Sequence, residues 1–188
     1  MTLANRLTML RVVLAAAVFG ALLAEGPRWH AAALAMFAAA VATDWLDGWL
    51  ARRTNSVSHF GKIADPIADK ILVLGTLLAL IRRKELEIPV WTVFLILMRE
   101  LVIGGVRMLA AANGKSIAAE RTGKIKTVVQ CIAVLSILTI VVLRDRGWAS
   151  GWMIDSAAYL AILCAGVALS SLWAYLRQYR ALLQKSWS

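Results

Sequence analysis

The sequence predicts an all-α integral membrane protein, a bundle of six transmembrane helices forming a single domain over residues 1–188. Two observations carry this expectation. Hydrophobic residues make up 61% of the chain, well above the apolar share of a soluble globular domain. Several apolar runs also reach the roughly 20 residues that a helix needs to cross a bilayer, with turn-forming residues between them.

Taken in order, the runs place the first helix at 7–24, ended by the Glu25-Gly26-Pro27 turn. Arg11 interrupts this run and it leads directly into further helices, so it is expected to stay as a span and not to be a cleaved signal peptide. The second helix covers 29–50. The third covers 66–81, with Pro66 suited to its first turn and Asp65 to its N-cap. Pro89 suits the start of the fourth, 89–112, and Asn113-Gly114 stops it. The fifth and sixth, 124–143 and 152–176, are joined by a hairpin bracketed by Gly147 and Gly151. Cys131 and Cys164 stand singly within apolar helices, without metal-ligand spacing, and read as core residues.

The net charge of +10 would suggest nucleic acid in a soluble chain. Here the cations sit in short segments between apolar runs, with no interleaved aromatic platform, so no nucleic-acid partner is expected. They read as topology signals and as binding groups for phosphates and anionic lipid heads. Six spans put both termini on one side with loops 50–65 and 113–123. That side carries thirteen lysines and arginines against six on the other, which predicts cytoplasmic termini. The Arg82-Arg83-Lys84 run opposes this count. Trp29, Trp91, Trp148 and Trp152 fall at the external ends and Trp45 and Trp49 at the internal one, as an aromatic belt would.

One segment carries the chemistry. Asp44, Asp47, Gly48, Ala51, Arg52, Gly61, Asp65 and Asp69 follow the spacing D-x2-D-G-x2-A-R-x8-G-x3-D-x3-D. Asp44 and Asp47 share one helical face near the cytoplasmic end of helix two, and Asp65 and Asp69 share another on helix three. Four converging carboxylates repel one another and resist ionisation unless a cation balances them. Oxygen-only ligands suit Mg²⁺, Mn²⁺ or Ca²⁺ and not zinc, and two such ions bridge carboxylates to a pyrophosphate. Gly48 and Gly61 permit close approach of a ligand or a second helix. Arg52 offers a forked donor for phosphate, and Asp69 is placed to face a nucleophile.

That spacing resembles the signature of the CDP-alcohol phosphatidyltransferases, with every position present. The resemblance implies a membrane enzyme with its active site at the cytosolic membrane edge. Such an enzyme displaces CMP from a CDP-alcohol, usually CDP-diacylglycerol, with the hydroxyl of a second alcohol. It implies that Asp44, Asp47, Asp65 and Asp69 hold the metals, two Mg²⁺ or Mn²⁺ ions, with Asp69 also the general base. It places Gly48, Ala51, Arg52 and Gly61 around the CDP moiety. It also implies a homodimer, and Gly104-Gly105 would permit close helix packing.

The acceptor is written elsewhere. Helix four carries Arg99, Glu100 and Arg107, with Arg99 about ten residues, or roughly 15 Å, inside from Pro89. Charges at such depth face a polar cavity or pair with one another. Glu100 and Arg107 lie seven apart on one face, so pairing between them is the simplest structural expectation, and Arg99 then needs an anion. At the start of helix five, Lys124 and Lys126 oppose the helix dipole, which is understandable if a phosphate sits between them. Together these cations predict an acceptor that bears a phosphate.

From Asn5, Leu7, Thr8 and Arg11 to helix six, the chain resembles the bacterial phosphatidylglycerophosphate synthase branch of the family. Arg99-Glu100 and Gly123-Lys124-Ile125-Lys126-Thr127 are the motifs concerned. This implies glycerol-3-phosphate as acceptor, held by Arg99, Arg107, Lys124 and Lys126, with Asn5 and Thr8 near the CDP headgroup of CDP-diacylglycerol. It also implies a bacterial inner (cytoplasmic) membrane location. Phosphatidylglycerol, as in a cardiolipin synthase, or an inositol phosphate is the alternative acceptor. A cation transporter using the four aspartates is the alternative from another class, and it fits less well because transporter sites lie near the bilayer midplane.

Overall fold

The computed structural model describes the backbone of residues 3–54, 59–112 and 121–179, and the side chains of 8–44, 67–68, 70–110 and 125–179. Its regular elements are α1 (Leu3–Leu23), α2 (Pro27–Thr54), α3 (His59–Ile81), α4 (Val90–Ala112), α5 (Arg121–Asp145) and α6 (Gly151–Gln178), with a 3-10 turn at Lys84–Leu86. Among the described residues there is no strand.

The six apolar runs each become a helix, but several helices outlast their runs. α2 continues to Thr54 and α3 starts at His59, seven residues before the expected Pro66. Asp65 therefore belongs to the body of α3 and is not its N-cap. An apolar run marks the part of a helix that faces other apolar groups, whereas the helix itself can continue through polar sequence whose side chains are solvated. At 28 residues, α2 is roughly 42 Å long.

α1 packs against both α2 and α3, α2 reaches α5, and α6 lies between α4 and α5. The main core unites Val18, Phe37, Leu77, Leu80, Val134, Ile137 and Leu138 with alanines 15, 33, 40, 133, 161, 165 and 168. Alanines at these seams let backbones approach closely. A second cluster of Ile103, Val106, Leu172 and Tyr175 ties α4 to α6. Large apolar side chains also point outward, among them Phe94, Leu101, Met108, Trp152, Tyr159 and Trp173. Helices that are apolar on both faces suit a lipid solvent. Among the described residues, Ile125–Asp145 and Gly151–Gln178 are long and apolar enough to cross a membrane. Thr8–Leu23 and Lys70–Ile81 are shorter apolar stretches.

The turns follow the sequence signals. Gly26 (φ +122°) and Gly147 (φ +72°) adopt backbone conformations that side chains disfavour, between α1 and α2 and between α5 and α6. A polar knot closes this end of the bundle. His30 at the start of α2 bonds through Nδ1 to Asp145 of α5 and through Nε2 to Arg83 of the α3–α4 connection. Glu85 accepts from Arg144 at 2.8 Å and from Arg83 at 3.4 Å. The Arg82-Arg83-Lys84 run, which opposed the topology count, thus has Arg83 engaged in the protein.

Candidate active site

The signature occupies the last turns of α2 and the first turns of α3. Asp44, Asp47, Gly48, Ala51 and Arg52 lie on α2; Gly61, Asp65 and Asp69 lie on α3. α1 packs against both helices that carry the motif. Of these residues only Asp44 has a described side chain; those of Asp47, Gly48, Ala51, Arg52, Gly61, Asp65 and Asp69 lie outside the described residues, as do those of Asn5 and Lys124.

Asp44 accepts from Arg11 of α1, with Nη2 2.7 Å from Oδ1. The arginine side chain is 1% exposed and the carboxylate 48% exposed. A charged hydrogen bond of this kind is short and strong. Thr8, one turn earlier on α1, is also buried. A cavity of about 20 Å³ is lined by Arg11, Ala40, Val41, Asp44, Leu72, Val73, Thr127 and Cys131. The first aspartate of the signature and Thr127, the last residue of the Gly-Lys-Ile-Lys-Thr motif on α5, both line it. In the sequence Arg11 belongs to the N-terminal motif, but its partner is not legible there. Its three-residue spacing from Thr8 was the available signal, since both fall on one helical face.

Among the described residues, no three carboxylate, histidine or cysteine side chains gather as a metal site. What is described fits a hard cation: Asp44 offers oxygen donors only, is half-exposed, and is held by Arg11 through one oxygen.

Deeper in the bundle, a second group forms around Glu100 of α4, which is 7% exposed. Its Oε1 accepts from Lys126 of α5 and from Arg99 Nη1 at 3.2 Å. Its Oε2 lies 3.8 Å from Lys70 Nζ of α3. Arg99 also donates to Ser171 Oγ of α6 at 2.5 Å. Three helices therefore meet at one carboxylate, and α6 joins the group through Arg99. The expected Glu100–Arg107 pair does not form. Seven residues of helix separate the two by a rise of about 10 Å, and closer cations are available from neighbouring helices. Arg107 is exposed and its guanidinium lies 6.0 Å from the Tyr175 ring. Nor is Arg99 left over, since Glu100 and Ser171 take up its guanidinium. Lys70 of α3, one of the thirteen cations counted on the cytoplasmic side, also joins this group.

A family profile for the CDP-alcohol phosphatidyltransferases matches residues 1–170. A Bacillus subtilis protein named CDP-diacylglycerol–glycerol-3-phosphate 3-phosphatidyltransferase is 44% identical over 112 residues, covering 60% of this chain and 57% of its own length. A Rickettsia felis protein of the same name is 34% identical over 146 residues, 77% of each chain. A rice protein named cardiolipin synthase (CMP-forming) is 33% identical over 199 aligned residues, covering 98% of this chain and 59% of its own. The chain thus spans little more than half the length of several curated relatives it matches. With the profile covering nine-tenths of its residues, the chain belongs to the CDP-alcohol phosphatidyltransferase family.

Proposed function

We propose that this protein transfers the phosphatidyl group from CDP-diacylglycerol to glycerol-3-phosphate, giving phosphatidylglycerophosphate and CMP. The observation that carries the choice of acceptor is the group around Glu100, where three cations face one buried carboxylate. Cations gathered in this way suit an anionic ligand, and a phosphate on the acceptor supplies it. The names of the Bacillus and Rickettsia relatives agree with this acceptor.

In this reading all six helices span a bacterial inner membrane, with both termini and the signature at the cytosolic edge, and two copies form a homodimer. Asp44, Asp47, Asp65 and Asp69 hold two Mg²⁺ or Mn²⁺ ions, which when bound draw charge from the pyrophosphate of CDP-diacylglycerol. Arg11 fixes the orientation of Asp44. Gly48, Ala51 and Gly61 make room for the CDP moiety, Arg52 pairs with its phosphates, and Asn5 and Thr8 border the headgroup. Arg99 and Lys126, with Lys124 and Arg107 further out, hold the acceptor's phosphate and so orient its primary hydroxyl. Asp69 takes the proton of that hydroxyl as its oxygen attacks the phosphorus bearing diacylglycerol, and CMP departs. The transfer is a single displacement without a covalent enzyme intermediate.

Phosphatidylglycerol is the second reading of the acceptor, favoured by the rice relative's name. The purified protein supplied with CDP-diacylglycerol and Mg²⁺ separates the possibilities when glycerol-3-phosphate, phosphatidylglycerol or an inositol phosphate is added in turn. CMP release with glycerol-3-phosphate alone is the expected result. Release only with one of the others replaces the acceptor, and no release with any of them removes the transfer reading.

A further inference from the structure

We infer that a groove between α5 and α6 holds an acyl chain of an anionic phospholipid in the leaflet opposite the signature, with Arg146 at its mouth binding the headgroup phosphate. The groove has a volume of about 380 Å³ and is lined by Ile132, Leu135, Thr139 and Leu143 of α5 with Met153 and Leu160 of α6. Three hydroxyls also border it, and each is turned back on its own helix. Ser136 donates to the Ile132 carbonyl at 2.9 Å, Thr139 to that of Leu135 at 2.8 Å and Ser156 to that of Met153 at 2.6 Å. The wall left for a ligand is therefore mainly hydrocarbon, which suits an occupant held by close packing. α5 and α6 carry the two described stretches long and apolar enough to cross a membrane, so the groove opens on lipid.

Length and place select the occupant. From Ile132 to Leu143, α5 rises by roughly 16 Å, about one leaflet of a hydrocarbon core roughly 30 Å thick. The groove ends at the α5–α6 hairpin, on the side where Asp145 meets His30 and away from the cavity that Thr127 shares with Asp44. It is thus separate from the signature. Trp148 and Trp152 are exposed at this end, as tryptophans in a headgroup zone are. The hairpin folds directly over the last groove residue, since the amides of Arg146 and Trp148 both donate to the Leu143 carbonyl. Arg144 is engaged with Glu85 and Asp145 with His30. Arg146 is exposed, and among the described residues its guanidinium meets no carboxylate and lies 5.7 Å from the Trp148 ring. A guanidinium set against an indole keeps its N–H fork available, and that fork matches two phosphate oxygens. A zwitterionic headgroup would bring its own cation toward Arg146, so a lipid of net negative charge is preferred.

The test is native mass spectrometry of the purified protein in mild detergent with dioleoyl phosphatidylserine or dioleoyl phosphatidylcholine, neither of them a substrate of the proposed reaction. Wild type is compared with Arg146→Ala, Arg146→Lys and Thr139→Phe, and the unfolding temperature without lipid shows that each variant is folded. Wild type should retain phosphatidylserine about fivefold more strongly than phosphatidylcholine, the effect of one cation at a membrane surface. Arg146→Ala should abolish that preference and Arg146→Lys should keep it. Thr139→Phe, which fills the groove, should lower retention of both lipids. CMP release by all three variants should match wild type, so the transfer reaction stands or falls separately. An unaltered preference in Arg146→Ala overturns the inference, as does unaltered retention in Thr139→Phe. If the latter variant also turns from dimer to monomer, the groove is a contact between copies and not a lipid site.

Discussion

Arg11 of α1 and Asp44 of α2 form a 2.7 Å ion pair in which the arginine is buried and the carboxylate half-exposed. The buried partner is locked by the packing of α1, so the pair sets the direction of the carboxylate and not the reverse. A motif near the N-terminus is thereby connected to the first aspartate of the signature. Arg11→Ala should lower the rate of CMP release by roughly 10- to 100-fold, the equivalent of one lost charged hydrogen bond. Arg11→Lys should recover part of it. Mg²⁺ titration of activity is the check: the half-activating concentration should rise in Arg11→Ala.

Asp69 is the proposed base. Asp69→Asn should abolish transfer while CDP-diacylglycerol still binds, measured by CMP release alongside equilibrium binding of the lipid nucleotide. Normal turnover by this variant would remove Asp69 from the role. Chelation of divalent ions should stop the wild-type reaction, and added Mg²⁺ or Mn²⁺ should restore it.

Lys126 pairs with Glu100 in the interior, and its side chain is 7% exposed. Lys126→Ala should raise KM for glycerol-3-phosphate far more than KM for CDP-diacylglycerol. Initial rates with each substrate varied in turn decide this, and an equal rise in both would remove Lys126 from the acceptor pocket.

Glu100→Gln removes the carboxylate charge that, among the described residues, faces Lys70, Arg99 and Lys126. Breaking a buried ion-pair group in this way should cost about 3 kcal/mol of stability, read as a lower unfolding temperature in detergent. A phosphate-bearing ligand would then replace the missing charge. Glycerol-3-phosphate should therefore raise the unfolding temperature of the variant more than that of the wild type.

The knot of His30, Asp145 and Arg83 lies roughly 21 Å of helix away from Asp44, fourteen residues along α2. Asp145→Asn should lower stability by about 1–3 kcal/mol and leave both KM values unchanged. A shift in either KM would show that this end of the bundle communicates with the site.

Much of this was legible in the sequence because it is local. The positions of six helices follow from apolar runs and from turns such as Glu25-Gly26-Pro27, since hydrophobic length and backbone preference act over a few residues. The ends of α2 and α3 were not legible, because a helix can continue through polar sequence whose side chains are solvated. The signature was legible through spacing alone, since each carboxylate pair falls three or four residues apart on one helix.

The family and the proposed donor chemistry were thus determined by the sequence itself, in the run from Asp44 to Asp69. The partners were decided only by tertiary structure. Arg11 with Asp44, and Glu100 with Lys70, Arg99 and Lys126, depend on which helix faces meet, and no periodicity along one helix encodes that. The sequence favoured Arg107 for Glu100 because both lie on one strip of α4. The bundle instead supplied α3 and α5 at closer range, and in a poorly solvated interior the nearest opposite charge prevails.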